Sequence, residues 1–347
     1  MSPHCRWNHC VIKAIALVWM LGLQSCVGVG RWWNPSPKPD PLFPIESAAG
    51  VDYRSLQGML RQRQWRGADQ ETLRILLEMG DRQSEGWLSQ PDVESLACAD
   101  LQTIAKLWDY YSDGRFGWMR QLEIWQEVGG TAGVYDAAVA EQVGDRVGWR
   151  RGSQWRTYDQ LNFSEQAPAG HLPATTGNGV SGAVWNGVAA ITHRAKYCPI
   201  IDALVEQRWV DADWRTLGLL EPYRVPQDDP IDPAPLDLAL VPCHELAAID
   251  RLWSQYSNNR FGLSAQTPIL KATGNDPTTT DWQRHAAFER AVGWDQVRVK
   301  EREYNTAPLE AIPTGHFPYR LGYSYETFGS GFDRAWRLEL KPECGFY

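Results

Sequence analysis

The side chains best suited to holding a ligand gather near the middle of the chain. Trp155, Tyr158 and Phe163 stand close together, and His171 follows in a Gly-His-Leu-Pro loop that returns as Gly315-His316-Phe317-Pro318. Aromatic rings offer flat apolar faces, suited either to core packing or to holding a flat apolar ligand. Packing accounts for most of the 18 tryptophans. His171 and His316 are the histidines that recur, and a histidine in such a loop is expected to bond nearby backbone, with a metal or general-base role the lesser reading. No nucleophile-base-acid triad, carboxylate pair or metal-ligand cluster recurs, and no cysteine spacing matches a zinc or redox motif, so neither catalysis nor a resident metal is expected. The run Gly177 to Gly182 fits a Gly-x-Gly-x-x-Gly pattern, but no strand precedes it, and it reads as a linker.

The segments that flank this cluster are written twice. LWDYYSDGRFGWMRQLEIW, Leu107 to Trp125, returns as LWSQYSNNRFGLSAQTPIL, Leu252 to Leu270, displaced by 145 positions. A chain of 347 residues with such a period divides into two domains of ordinary size. In each copy an apolar stripe carrying Trp108 or Trp253 precedes a polar turn, then Arg115-Phe116-Gly117 or Arg260-Phe261-Gly262, then a second stripe. The pattern predicts helix, turn, helix, with Gly114 and Asn259 in the left-handed conformation and Phe116 and Phe261 pinning the turn to the core. Arg115 and Arg260 are expected to cap the preceding carbonyls or pair with a carboxylate.

Ahead of each turn lies a helical hairpin. Leu56, Met59 and Leu60, then Trp65, Ala68, Thr72, Leu73 and Leu76, keep helical spacing, and Ile200 to Leu204 with Trp209 to Leu220 repeat it. Gly80 and Pro222 are placed to end the second helices, and Gln83 to Ala97 reads as a loop. The fold class is all-α, with a first domain over 52–182 and a more divergent second over 183–347. In that second copy Lys300 stands where Trp155 does and Pro308 where Phe163 does, so only the first copy keeps the aromatic segment.

The N-terminus carries a processing pattern. Arg6 and Lys13 flank a short apolar run, Ala14 to Leu23, followed by Leu23-Gln24-Ser25-Cys26. Residues 1–26 read as an export signal whose end resembles a bacterial lipoprotein signal, with Cys26 as the lipidated residue. Residues 27–51, with five prolines, read as a stiff tether able to reach up to about 70 Å. Cys98, Cys198, Cys243 and Cys344 admit free buried thiols or two disulfides, and Cys98 and Cys243 are repeat-equivalent at helix starts. The net charge of −8 argues against a nucleic-acid partner.

Taken together, the Tyr-x-x-Leu hairpin, Trp-x-x-Ala-Asp-x-x-Thr, Leu-Trp-x-x-Tyr-Ser-x-Gly-Arg-Phe-Gly, Val-Gly-Trp-Arg and Ala-Pro-x-Gly-His-Leu-Pro resemble the "genomes uncoupled four" family of oxygenic phototrophs. The resemblance covers 52 to 173 strongly and 196 to 318 more loosely. It implies an all-α domain with a greasy cleft for protoporphyrin IX and its magnesium complex, and a non-catalytic role in stimulating magnesium chelatase. It marks Trp155, Tyr158 and Phe163 as cleft walls, with His171 beside them. An arginine pair follows the Gly-His-Leu-Pro motif in the family. Here the next basic residue is Arg194. A lipoprotein exported to a periplasm or thylakoid lumen could not meet the chelatase, whereas a cytoplasmic, membrane-associated protein could. The sequence therefore supports a tetrapyrrole-binding or tetrapyrrole-sensing protein, and as the alternative a membrane-tethered scaffold that has lost its ligand.

Overall fold

The computed structural model describes residues 38–174, 184–224, 236, 238, 240–275, 282–305, 307–321 and 344–345. The predicted signal, Cys26, the run Gly177 to Gly182 and the expected domain boundary at 182/183 lie outside them.

The first copy opens with α1 (Arg54–Arg61) and α2 (Trp65–Met79), whose stripes bury Leu56, Leu60, Ala68 and Leu76 completely. Gly80 caps α2 as expected. The next segment is not all loop: α3 (Gln90–Ser95) lies within it, started by a capping box between Ser89 and Asp92, with Pro91 in the first turn. A helix of six residues with one buried side chain, Val93, leaves almost no periodic signal.

Then come α4 (Cys98–Ser112), α5 (Trp118–Glu127) and α6 (Ala137–Val147), followed by a two-residue hairpin of β1 (Arg150–Arg151) and β2 (Gln154–Trp155) in which Arg150 faces Trp155. The turn between α4 and α5 holds Asp113 at φ 56° and Gly114 at φ 73°, and its second-copy equivalent holds Asn258 at 54° and Asn259 at 61°. Such angles are tolerated by glycine and asparagine and by few other residues.

The second copy contains α7 (Val184–Val205), α8 (Trp209–Leu219), α9 (Cys243–Tyr256), α10 (Leu263–Ala272), α11 (Trp282–Val292) and α12 (Val297–Tyr304). α7 packs against α3, α4 and α5 of the first copy and against α8 and α9 of the second. It closes one copy and opens the other. No helix among the described residues is long and apolar enough to cross a membrane.

Both cores are built around one repeated arrangement. Trp108 Nε1 donates to Thr72 Oγ1 at 2.9 Å while that hydroxyl donates to the Ala68 carbonyl, and Trp253, Thr216 and Ala212 repeat the chain with a 3.1 Å first step. The threonine of the Trp-x-x-Ala-Asp-x-x-Thr motif thus satisfies an indole N–H that burial would otherwise leave unpaired. Phe116 and Phe261 are 1% and 0% exposed and lie edge-on to Trp65 and Trp209, pinning the turns as predicted.

Two features depart from or resolve the sequence reading. Residues 38–51 are not free tether: Asp100, fully buried, accepts from Ser47 Oγ, Ala48 N, Ala49 N and Tyr53 Oη, and Lys38 pairs with Asp113, so this stretch is docked along α4. The four cysteines form two disulfides, Cys98–Cys198 and Cys243–Cys344, separated by 100 and 101 residues. The bridges are themselves repeat-equivalent, each joining the first residue of a helix (α4 or α9) to a cysteine 100 or 101 residues downstream, well short of the full repeat period.

Candidate functional site

The aromatic segment is held at both ends by the repeated loop motifs. α6 stops at Gly148, left-handed at φ 79°, and the next residue, Trp149, buries its ring and donates from Nε1 to the His171 carbonyl at 2.7 Å. His171 is 1% exposed, with Nδ1 2.5 Å from the Val147 carbonyl and Nε2 accepting from Asn162 N at 3.0 Å. Burial holds its pKa below the ordinary imidazole value, so the ring is neutral, Nδ1 carries the proton, and both nitrogens are committed to backbone. His171 organises the loop and has no lone pair left for a ligand. His316 repeats the Nδ1 side of the pattern, with Nδ1 2.7 Å from the Val292 carbonyl and Trp294 Nε1 donating to the His316 carbonyl at 2.7 Å.

Arg115 and Arg260 act at the far side of the same loops. Arg115 donates to the Ala167 carbonyl at 2.5 and 3.0 Å, and Arg260 to the Ile312 carbonyl at 2.6 Å. The expectation that they cap the preceding helix is corrected: each reaches a carbonyl 52 residues onward, because the turn lies directly against the incoming loop. The glycines after Phe116 and Phe261 complete the clasp, with Gly117 N donating to the Leu172 carbonyl at 2.8 Å and Gly262 N to the Phe317 carbonyl at 2.9 Å. At φ 112° neither position suits a side chain.

Between these clasps lie the three wall candidates. Tyr158 and Phe163 meet with ring centroids 5.1 Å apart, both half-buried. The Tyr158 hydroxyl donates to Asp69 Oδ2 at 2.8 Å, and burial followed by the Asp69 charge pushes its pKa upward, so it stays a donor. Asp69 is fully buried on α2, and its other oxygen accepts from Ala174 N at 2.5 Å, just past the Gly-His-Leu-Pro motif. Trp155 lies instead over α6: a Cβ on Gly144 would come 2.5 Å from its ring. The buried Arg150 guanidinium, paired with Glu141 and Asp145, sits 5.3 Å from the same ring.

The structure thus pairs Tyr158 with Phe163 on α2 and seats Trp155 on α6. Arg66, also on α2, covers the pair, its guanidinium 4.8 Å from the Phe163 centroid and 5.3 Å from that of Tyr158.

In the second copy the same stretch is α12, a helix bearing Lys300 and Glu303 where the first copy has Trp155 and Tyr158. Asp213, the equivalent of Asp69, takes Arg320 instead, accepting from its backbone N at 3.1 Å and its Nη1 at 2.8 Å. A cavity of about 410 Å³ opens elsewhere, between α3, α7 and α9, and is lined by Glu94, Ile201, Leu252 and Tyr256 among others, not by the aromatic segment. Among the described residues no group of three histidine, cysteine or acidic side chains is placed to hold a metal.

The clasped Arg-Phe-Gly turn, the Gly-His-x-Pro loop and the buried Trp-Thr pair occur twice in one order, and a family model described as GUN4-like matches residues 46–189 and again 190–324. The chain belongs to the GUN4-like family. It carries two copies of the domain. Among individual relatives, the ycf53 protein of Pyropia yezoensis is 34% identical over 137 residues, which cover 39% of this chain and 55% of that one. A protein named tetrapyrrole-binding protein, chloroplastic, from Arabidopsis thaliana is 36% identical over 75 residues, 21% of this chain and 28% of its own. The solved structure of GUN4 from Chlamydomonas reinhardtii is 26% identical with a TM-score of 0.37, covering 44% of this chain and 93% of that one. The GUN4-like chain spans about half the length of the first curated relatives it matches.

Asp69 and Arg66 were not selected from the sequence. Asp69 had a signal, since an acidic residue stands inside an apolar helical motif in both copies. Arg66 had none: it is one of many surface arginines, and its equivalent is Val210.

Proposed function

We propose that this GUN4-like protein binds a tetrapyrrole without transforming it, protoporphyrin IX or its magnesium complex, on the aromatic segment of its first copy. The observation that carries the reading is the asymmetry between copies. The first braces Tyr158 and Phe163 half-exposed on α2 through a buried carboxylate, and the second puts a polar helix in their place. A planar macrocycle gains from aromatic faces fixed before it arrives, because less ordering remains to be done on binding. His171 serves this site as a positioning residue.

The membrane-anchored, exported location follows as part of the proposal. Lipidation at Cys26 would leave a tether of residues 27–37, reaching about 35 Å if polyproline-like, and two disulfides suit an oxidising compartment. In a periplasm or lumen the partner would not be magnesium chelatase, and the protein would store or sense the pigment. A scaffold that has lost its ligand is the second reading, favoured by the stretch without basic residues that follows the Gly-His-Leu-Pro motif.

Titrating the purified full chain with protoporphyrin IX while following tryptophan quenching separates them. Saturable binding, weakened about tenfold or more by Phe163→Ala as expected for a stacking ring, supports the ligand. Absence of saturation at micromolar porphyrin leaves the scaffold.

A further inference from the structure

The two rings that meet on α2 already carry a cation, and it is loosely held. Arg66 pairs with Asp159 at 3.0 Å, but the two side chains are 46% and 85% exposed, so the pair faces water and is weak. A guanidinium over half-exposed rings adds only modest attraction. The neighbouring arginines are engaged away from the two rings: Arg63 with Glu165, Arg150 with Glu141 and Asp145, Arg156 with the Gln160 carbonyl, and Arg115 with the Ala167 carbonyl.

The two rings are tilted by 59°, so a planar apolar ligand lies flat on one of them with the other against its edge, and either face is one that the Arg66 guanidinium now covers. The side chain starts one residue into α2, at the edge of the pair, and its displaced end falls at the rim of whatever lies on the rings. The second copy supplies an independent observation. Val210, Glu303 and Pro308 stand where Arg66, Tyr158 and Phe163 do, so cation and rings are absent together.

Resting on the tetrapyrrole reading, we infer that Arg66 determines the specificity of this site: it shields the Tyr158 and Phe163 faces and, when a planar ligand takes them, turns to pair with a carboxylate on the ligand's rim. The ligand class is therefore a planar macrocycle with free acid groups at one edge. A fully esterified or uncharged macrocycle meets the same rings without that partner, and pays for displacing Arg66 with nothing in return.

The test compares protoporphyrin IX with its dimethyl ester on the full chain, by quenching and by the shift of the porphyrin absorption band. The parent protein is expected to prefer the diacid about tenfold, the scale of one charge-assisted pair. Arg66→Gln should bring the two ligands within about twofold, weakening the diacid through loss of its partner and tightening the diester through loss of the shield, and Arg66→Lys should restore part of the preference. Asp159→Asn, which releases the guanidinium without touching the rings, should tighten the diacid about two- to threefold and keep the preference. Saturable binding with an unchanged diacid-to-diester ratio in Arg66→Gln overturns the role of Arg66 and leaves the tetrapyrrole reading standing. Failure of both porphyrins to saturate the parent protein overturns both.

Discussion

Replacing Tyr158 by phenylalanine keeps the ring and removes only its tether. The lost hydrogen bond runs at 2.8 Å to Asp69, a carboxylate with no exposed surface. Hydrogen bonds to charged groups contribute about 1.5–3 kcal/mol net. The Ala174 amide stays on the other carboxylate oxygen at 2.5 Å, so the lower half of that range applies, about 1.5–2 kcal/mol. That is between tenfold and thirtyfold in the folding equilibrium. Urea unfolding at pH 7, read by midpoint and slope, measures it. A double-mutant cycle with Asp69→Asn then isolates the pair, with an expected coupling of about 1–2 kcal/mol. A coupling within about 0.3 kcal/mol of zero would show that Asp69 does not hold the ring, and the case for a pre-positioned wall would fall with it.

Serine at Cys98 and Cys198 should lower stability by about 3–5 kcal/mol, and serine at Cys243 and Cys344 by a similar amount, because the closed loops are nearly equal at 100 and 101 residues; denaturation with and without reductant checks both. His316, fully buried, has its pKa held down to about 4 by burial, so between pH 6.5 and 4 the unfolded chain binds a proton that the folded chain does not. Its contribution is therefore lost as pH falls through that window, by about 3 kcal/mol, and His316→Asn should flatten the pH dependence there by one proton. Asp213, pushed up to about 6 by burial, acts in the opposite sense, so the comparison is variant against parent. Cys26→Ala should release the protein from the membrane fraction, and unchanged association would refute lipidation.

What was legible in the sequence followed from local physics. Apolar stripes at helical spacing marked α1, α2, α4 and α5, and Gly114 and Asn259 marked the turns because few residues tolerate a positive φ. What escaped depends on chain segments far apart. Nothing near Arg115 says that its guanidinium will find Ala167, and nothing near Cys98 selects Cys198 over two other partners. Residues 38–51 looked like spacer because prolines favour extended chain; they dock because Asp100 offers a buried carboxylate to three successive donors and a tyrosine. Of the site, the rings were visible as a cluster of types, whereas Asp69 and Arg66, which touch those rings, became visible only once α2 was laid beside them.

The helix shared by the two copies sets where this molecule can be cut. A break at the boundary between the family matches, 189/190, falls inside α7 and strands Cys198 on the wrong fragment, leaving the first piece with an unpaired thiol at Cys98. Removing one whole period that starts between Leu56 and Cys198 instead, and runs to the equivalent position in the other copy, keeps one cysteine of each kind, so that the remaining pair can close. The covalently closed unit of this chain is therefore out of phase with the block that sequence similarity outlines, because α7 and Cys198 lie across the boundary between the two family matches.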